Sequence, residues 1–179
     1  GDIKRDTNGR IVEVSFRGTD VNAMVLKQLR KLKQLKLLCL DGTSCDDECL
    51  ASLGPIESHR ALDLRSCPIS NDGLTHLSRL PRLRSLRLSG KDGVTTVDDR
   101  GLSHIAKLAQ LKAIALDALW VSEAGLTQLK SLQNLEELYL AGTLIGDEAM
   151  GILAEFPALR KLRLAQTQVS SAGLAELVK

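Results

Sequence analysis

HRALDLRSCPISNDGLTHLSRLPR, residues 59–82, is one complete unit of the pattern on which the chain is built. Leu62 and Leu64 alternate with Asp63 and Arg65, as a strand with one buried face requires. Cys67 and Ile69 turn the chain inward, and Leu74, Leu77 and Leu80 then recur at every third residue, one face of a short helix. Strand, turn and helix are complete within 24 residues.

The unit recurs on both sides. Its apolar pair falls at Val14/Phe16, Leu38/Leu40, Leu62/Leu64, Leu86/Leu88, Ile114/Leu116, Leu138/Leu140 and Leu162/Leu164, at steps of 24 residues except for one of 28. Three residues upstream runs the column Ile11, Leu35, His59, Leu83, Leu111, Leu135 and Leu159, broken only by His59. Downstream run Thr19, Thr43, Cys67, Thr95, Leu119, Thr143 and Thr167, then Val21, Cys45, Ile69, Val97, Val121, Ile145 and Val169. A small apolar unit repeated in series explains why apolar residues reach 44% while aromatics are 2%.

Helix starts follow the last column at Asn22, Asp46, Ser70, Asp98, Ser122, Gly146 and Ser170, all favourable N-cap types. Asp47, Glu48, Asp72, Asp99, Glu123, Asp147 and Glu148 come next, where a helix dipole favours negative charge. The composite LxxLxxLxLxxTxI(S/T)DxGLxxLxxL resembles the bacterial leucine-rich repeats of 24 residues. Gly73-Leu74, Gly101-Leu102, Gly125-Leu126 and Gly173-Leu174 carry the GL step, with Val25, Cys49 and Ala149 replacing glycine elsewhere. The resemblance implies an α/β solenoid: a right-handed β-α superhelix of seven repeats, with a parallel sheet on the concave side and helices on the convex side. It also implies protein recognition as the usual role, in a family some of whose members are exported or surface-attached.

Ile3–Arg5 and Ile11–Phe16 flank Asn8-Gly9, so an N-terminal β-hairpin cap is expected. Residues 1–10 form the capping strand and turn, and residues 11–179 the repeat domain, with units starting near 11, 35, 59, 83, 111, 135 and 159. The last helix is expected to run to Lys179 without a polar capping unit, leaving an apolar face and a strand edge that would permit a homodimer or be blunted by Lys161 and Arg163. The chain opens on Gly1 and not on methionine, from which we expect a removed upstream segment; the compartment, cytoplasmic or exported, stays open. Soluble behaviour and no membrane insertion are expected, since no apolar run approaches the ~18 to 20 residues needed to span a bilayer.

With 24 Lys plus Arg against 22 Asp plus Glu, no global field selects nucleic acid or membranes. Recognition must come from local placement. Outward positions of the strands read Ser15, Cys39, Asp63, Arg87, Ala115, Tyr139 and Arg163, and next to them Arg17, Asp41, Arg65, Ser89, Asp117, Ala141 and Ala165. Arg17, Asp41 and Arg65 should form one charge ladder, and Asp63 with Arg87 another. Tyr139 stands among Ala113, Ala115, Ala141 and Ala165 with Arg163 beside it, and Tyr and Arg are frequent interface anchors. The four-residue insertion lengthens Ser89-Gly90-Lys91-Asp92-Gly93-Val94, and Trp120 occupies the matching turn of the next unit, either covering the loop's base or offering an edge contact.

Neither a cofactor nor a metal is expected. Asp92, Asp98 and Asp99 lack calcium-loop spacing, and the cysteines form no CxxC pair. Cys45, Cys49 and Cys67 read as buried reduced thiols, and Cys39 as an exposed one. His59, His76 and His104 are scattered over three units, and an open sheet offers no catalytic enclosure. The basic run Lys27–Lys36 reads as a solvated helix end and turn, without the aromatics that stack bases. The sequence therefore points to a non-catalytic scaffold binding a protein partner, not nucleic acid, through Arg87, Tyr139 and Arg163 on the sheet and Lys91, Asp92 and Trp120 on the edge. The alternative is a structural segment that self-associates through its C-terminal end.

Overall fold

The computed structural model describes residues 1–177. Among these, one sheet runs in chain order through β1 (Asp2–Arg5), β2 (Ile11–Ser15), β3 (Leu37–Cys39), β4 (Ala61–Asp63), β5 (Ser85–Ser89), β6 (Ala113–Asp117), β7 (Glu137–Tyr139) and β8 (Lys161–Arg163). β1 pairs antiparallel with β2, and every later pair is parallel. The register follows the apolar columns: Val14, Leu38, Leu62, Leu86, Ile114, Leu138 and Leu162 stand side by side. The sheet remains open, with the helices packed behind it in the same order. This is a leucine-rich-repeat solenoid.

The hairpin forms around Asp6–Gly9. Asp6 accepts from the backbone N–H groups of Asn8 and Arg10, both at 2.9 Å, and Gly9 takes the positive φ of 75°. At the other end, Leu162, Leu164 and Val169 are only partly buried, whereas Leu138, Leu140 and Ile145 in the preceding unit are fully covered. The end of the last helix expected at Lys179 lies outside the described residues.

Six of the seven parallel strands leave the sheet through a residue in the left-handed region: Gly18, Gly42, Ser66, Ala118, Gly142 and Gln166 have φ between 52° and 71°. Gly42, Ala118 and Gly142 there donate to carbonyls of the next repeat at 2.7–2.9 Å, prolonging the ladder beyond the strand. In the fourth repeat the insertion shifts the positive φ from this column to Gly93 (71°). The threonine column closes the turn: Thr143 and Thr167 each donate to the carbonyl three residues back, Leu140 and Leu164, at 2.7 Å. These hydroxyls are thus satisfied where they enter the core.

Behind the strands lie α1 (Ala23–Leu29), α2 (Asp47–Ala51), a 3₁₀ helix (Gly73–Arg79), α3 (Asp99–Ile105), α4 (Glu123–Gln128), continued by a second 3₁₀ turn (Leu129–Ser131), α5 (Ala149–Ala154) and α6 (Ser171–Glu176). A three-residue apolar spacing drifts by about 60° per step around an α-helix but stays eclipsed in a 3₁₀ helix. Short helices and 3₁₀ turns therefore suit Leu74, Leu77 and Leu80 better than a long α-helix. Asn22, Asp46, Asp98, Ser122 and Ser170 cap as expected. Ser70 and Gly146 do not, since those helices begin after Asp72 and Glu148.

The first-turn acids have a use that the dipole reading missed. Asp47 accepts from the N–H and hydroxyl of Ser70 at 2.9 and 2.5 Å, Asp99 likewise from Ser122, and Asp147 from Ser170 at 2.7 and 2.6 Å. Each carboxylate ties its own helix start to the next repeat's. The GL glycines follow from this, because a Cβ on Gly73, Gly125 or Gly173 would stand 2.0–2.2 Å from that carboxylate, and one on Gly101 would stand 2.3 Å from the Asn71 amide oxygen. Where the preceding unit carries Ala23 or the longer Glu123, Cys49 and Ala149 replace glycine. Glu123 reaches the Gly146 N–H instead, at 2.6 Å.

Candidate functional site

The exposed face of the sheet, expected as the concave surface, carries both charge ladders. Asp41 pairs with Arg17 at 3.1 Å and Arg65 at 3.3 Å; Asp63 pairs with Arg65 at 2.6 Å and Arg87 at 3.9 Å. Asp63 holds Arg65 above the ordinary guanidinium pKa by direct hydrogen bonding. The remaining carboxylates of this face are also engaged: Glu13 by Lys4 at 2.9 Å, Asp117 by the Ala141 N–H at 2.8 Å, and Glu137 by the Tyr139 hydroxyl at 2.5 Å. Most cations of the face are paired as well, but they reach further into solvent. The side chains of Arg17, Arg87 and Lys161 remain 63%, 57% and 62% exposed, and Arg163 is exposed beside them. A face with nearly balanced formal charge thus presents mainly its positive ends to solvent.

Arg87, Ala115, Tyr139 and Arg163 are successive register partners, so three of the expected contact residues lie in one row across β5 to β8. At about 4.8 Å per strand the two arginines stand roughly 14 Å apart. Tyr139 is half-buried and not a free ring among alanines: Lys161 Nζ lies 5.2 Å from its centroid, and the neighbouring Ala115 and Ala141 are buried. Tyr139, and after it Glu137, raise the Lys161 pKa, while Arg87 is near enough to oppose them. Between β3 and β5 the same face dips into a hollow of about 250 Å³ lined by Leu37, Cys39, Ala61, Asp63 and Arg87.

Lys91, Asp92 and Trp120 occupy a different surface, the edge where the strands turn toward the helices. Lys91 and Asp92 are exposed, and Asp92 accepts from the Ser66 hydroxyl. Trp120 is 69% exposed, so it does not cover the base of the loop; its backbone forms a parallel bridge with Asp98, and the exposed Leu144 occupies the matching position of the next repeat. The structure therefore divides the six expected contact residues between a face and an edge.

Cys39 is buried, contrary to expectation. Its strand position does point outward beside its register partner Asp63, but this short side chain sits recessed among the longer residues that line the same hollow of the face. Cys45, Cys49 and Cys67 are buried free thiols whose pKa values burial raises. His59 is fully buried, with both ring nitrogens lacking a partner, and burial lowers its pKa to about 4. In the basic run, Arg30 is not merely solvated: its guanidinium donates to the Ser52 and Leu53 carbonyls at 2.8–3.2 Å, closing the end of α2. Among the described residues no helix is long and apolar enough to cross a membrane, and no three His, Cys, Asp or Glu side chains gather as a metal site.

One row of residues escaped the sequence reading. Lys36, Arg60, Arg84 and Lys112 each precede a strand, and each backbone N–H donates to the carbonyl of the one before it, at 2.7–2.8 Å from Arg60 onward. They form a single file of cations along the entering edge of the sheet. Its signal was present in the alignment as the position after Leu35, His59, Leu83 and Leu111.

A leucine-rich-repeat family model matches residues 60–78. No curated protein matches the chain significantly. Among solved structures, internalin C2 from Listeria monocytogenes is similar with a TM-score of 0.71 and 26% identity, over 93% of this chain and 67% of its own. The Arabidopsis receptor kinase HAESA, solved with the peptide hormone IDA and the co-receptor SERK1, is similar with a TM-score of 0.65 and 18% identity, over 98% of this chain and 30% of its own. A complex of PEPR1 with AtPEP1 gives 0.55 and 15% over 98% of this chain and 24% of that one. The chain thus spans less than a third of the two receptor chains.

Proposed function

We propose that this solenoid is a non-catalytic scaffold that binds an extended segment of a protein partner across the exposed face of its sheet. Arg87, Tyr139 and Arg163 would be the anchors, with Lys91, Asp92 and Trp120 a second contact on the edge. The observation that carries the reading is the asymmetry of that face: its carboxylates are engaged, whereas Arg87, Lys161 and Arg163 project around a half-buried tyrosine. An acidic segment meeting this row would find partners without first breaking a strong ion pair, because Arg87 is held only at 3.9 Å. The HAESA structure, which contains a peptide hormone, supports peptide recognition on this fold. The spacing of the units suits the 24-residue bacterial class.

Affinity capture with the intact chain from its source organism, repeated with Arg87→Ala, Tyr139→Ala and Arg163→Ala, tests this. A partner held by the native chain should bind at least about 10-fold more weakly to each variant, or ~1.4 kcal/mol. Equal binding by all three would remove the face from the proposal, and the same comparison with Trp120→Ala and Lys91→Ala tests the edge. A second reading, a homodimer through the C-terminal end, is favoured by the half-covered Leu162 and Leu164 and by Leu174, 47% exposed. Light scattering showing a strict monomer at high concentration would end it.

A further inference from the structure

We infer that the hollow between β3 and β5 is a specificity pocket that seats one large apolar side chain of the bound segment, next to the acidic residue that meets Arg87. The inference rests on the exposed face being the partner surface, and adds what the partner must carry there. Leu37 stands out of the repeat pattern. Its outward position is filled in the other units by Glu13, Ala61, Ser85, Ala113, Glu137 and Lys161, so it is the one large apolar side chain of that column. The core does not require it, because Leu38 and Leu40 already supply the inward pair of this unit and are fully buried. Beside Leu37 the short side chains of Cys39, Ala61 and Ser85 let the face sink into a hollow of about 250 Å³.

The lining selects the occupant. Asp63 brings the only carboxylate to the wall, and both of its oxygens accept from the Arg65 guanidinium, at 2.8 and 2.6 Å, so it does not call a cation into the hollow. Leu37, Cys39 and Ala61 leave the rest of the seat chiefly apolar. Solvent in such a seat finds few hydrogen-bond partners, and an apolar group that displaces it gains affinity. The volume is below the ~300–1,000 Å³ of small-molecule sites, so it suits a side chain and not a cofactor-sized ligand. At the rim, Arg87 is 57% exposed and reaches Asp63 only at 3.9 Å, which leaves its guanidinium free to turn to a second carboxylate. Apolar seat and cationic rim together select an apolar residue close to an acidic one. A nucleic acid would bring phosphates to Arg87 but nothing apolar to fill the seat.

Selection of random dodecapeptides displayed on phage against the intact chain tests the inference. Bound sequences should share a Leu, Ile, Met or Phe within two positions of an Asp or Glu. Changing that apolar residue to alanine in the synthetic peptide should weaken binding at least about tenfold by calorimetry, as burial of one such side chain predicts. Ala61→Leu, which fills the hollow from its middle strand, should cost the selected peptide as much and the alanine peptide little, because the seat is then no longer used. Ser85→Leu fills the hollow from β5 and replaces that variant if Ala61→Leu lowers the urea midpoint. Peptides that lose affinity with Arg87→Ala, Tyr139→Ala or Arg163→Ala but bind both filled variants as they bind the native chain would overturn the pocket and leave the partner face standing. Indifference to all five substitutions would overturn both. Selected peptides with acids but no shared apolar residue, or no selected peptide at all, would also overturn the pocket.

Discussion

Replacing Gly125 by alanine should destabilise the solenoid, although alanine is the better helix former. The added Cβ would stand 2.2 Å from Asp99 Oδ1 and 2.8 Å from Leu102 Cδ1, so the carboxylate must leave its place. Leaving breaks its bonds to the Ser122 N–H at 2.9 Å and to the Ser122 hydroxyl at 2.5 Å. Hydrogen bonds to a charged group contribute about 1.5–3 kcal/mol each, and partial exposure puts these near the lower end, so about 3 kcal/mol is lost. Helix propensity returns about 1 kcal/mol, leaving a net destabilisation of ~2 kcal/mol. The sharper readout is coupling. In an Asp99→Ala background the carboxylate clash is gone and only the Leu102 methyl must give way, so Gly125→Ala should become close to neutral, giving an interaction energy of ~2 kcal/mol in a double-mutant cycle. Urea unfolding followed by circular dichroism measures all four proteins. Additive effects of the two substitutions, or a neutral Gly125→Ala alone, would refute the idea that the glycine exists to seat the neighbouring carboxylate.

His59 makes stability depend on pH. Its folded pKa, about 4, lies below the ordinary histidine value because burial disfavours the charge. The unfolded chain therefore binds the extra proton between about pH 6.5 and 4, and stability should fall as pH drops through that window by on the order of 3 kcal/mol. His59→Leu, which restores the apolar column and removes two unpartnered buried nitrogens, should raise the urea midpoint at pH 7 and flatten the slope; an unchanged slope would show that His59 is not its source. Ala118→Gly relieves a left-handed φ of 57° and should stabilise by about 1 kcal/mol, seen as a higher thermal midpoint; a lower midpoint would mean that lost packing outweighs the strain. On the exposed face, Asp63→Asn should free Arg87 and leave Arg65 with Asp41 alone, so an acidic peptide partner should bind faster in low-salt kinetics, whereas a slower rate would contradict the electrostatic reading.

Much of this protein is legible in one dimension because each unit's demands are local. Alternation at Leu62 and Leu64, three-residue spacing at Leu74, Leu77 and Leu80, and caps such as Ser122 and Asp98 are satisfied within one repeat. Stacking similar units then dictates the register, so the pairing of Arg17, Asp41 and Arg65 follows from the repeat period alone. Equal steps place equal positions side by side.

What the tertiary structure alone decided are relations between units and the competition for space among side chains. Asp99 and Gly125 are 26 residues apart in the chain, and nothing within either repeat shows that one carboxylate fills the room left by the missing Cβ. Cys39 occupies an outward position, yet it is buried, recessed in a hollow that it lines together with Leu37, Asp63 and Arg87. Tyr139 was readable as an aromatic among alanines, but not as a ring bracketed by Glu137 and Lys161, because which of several nearby charges it meets depends on side-chain reach across strands. The repeat period determines which backbone positions become neighbours. Side-chain length and partner choice, resolved only when the strands lie 4.8 Å apart, determine which charges are spent on the fold and which remain for a ligand.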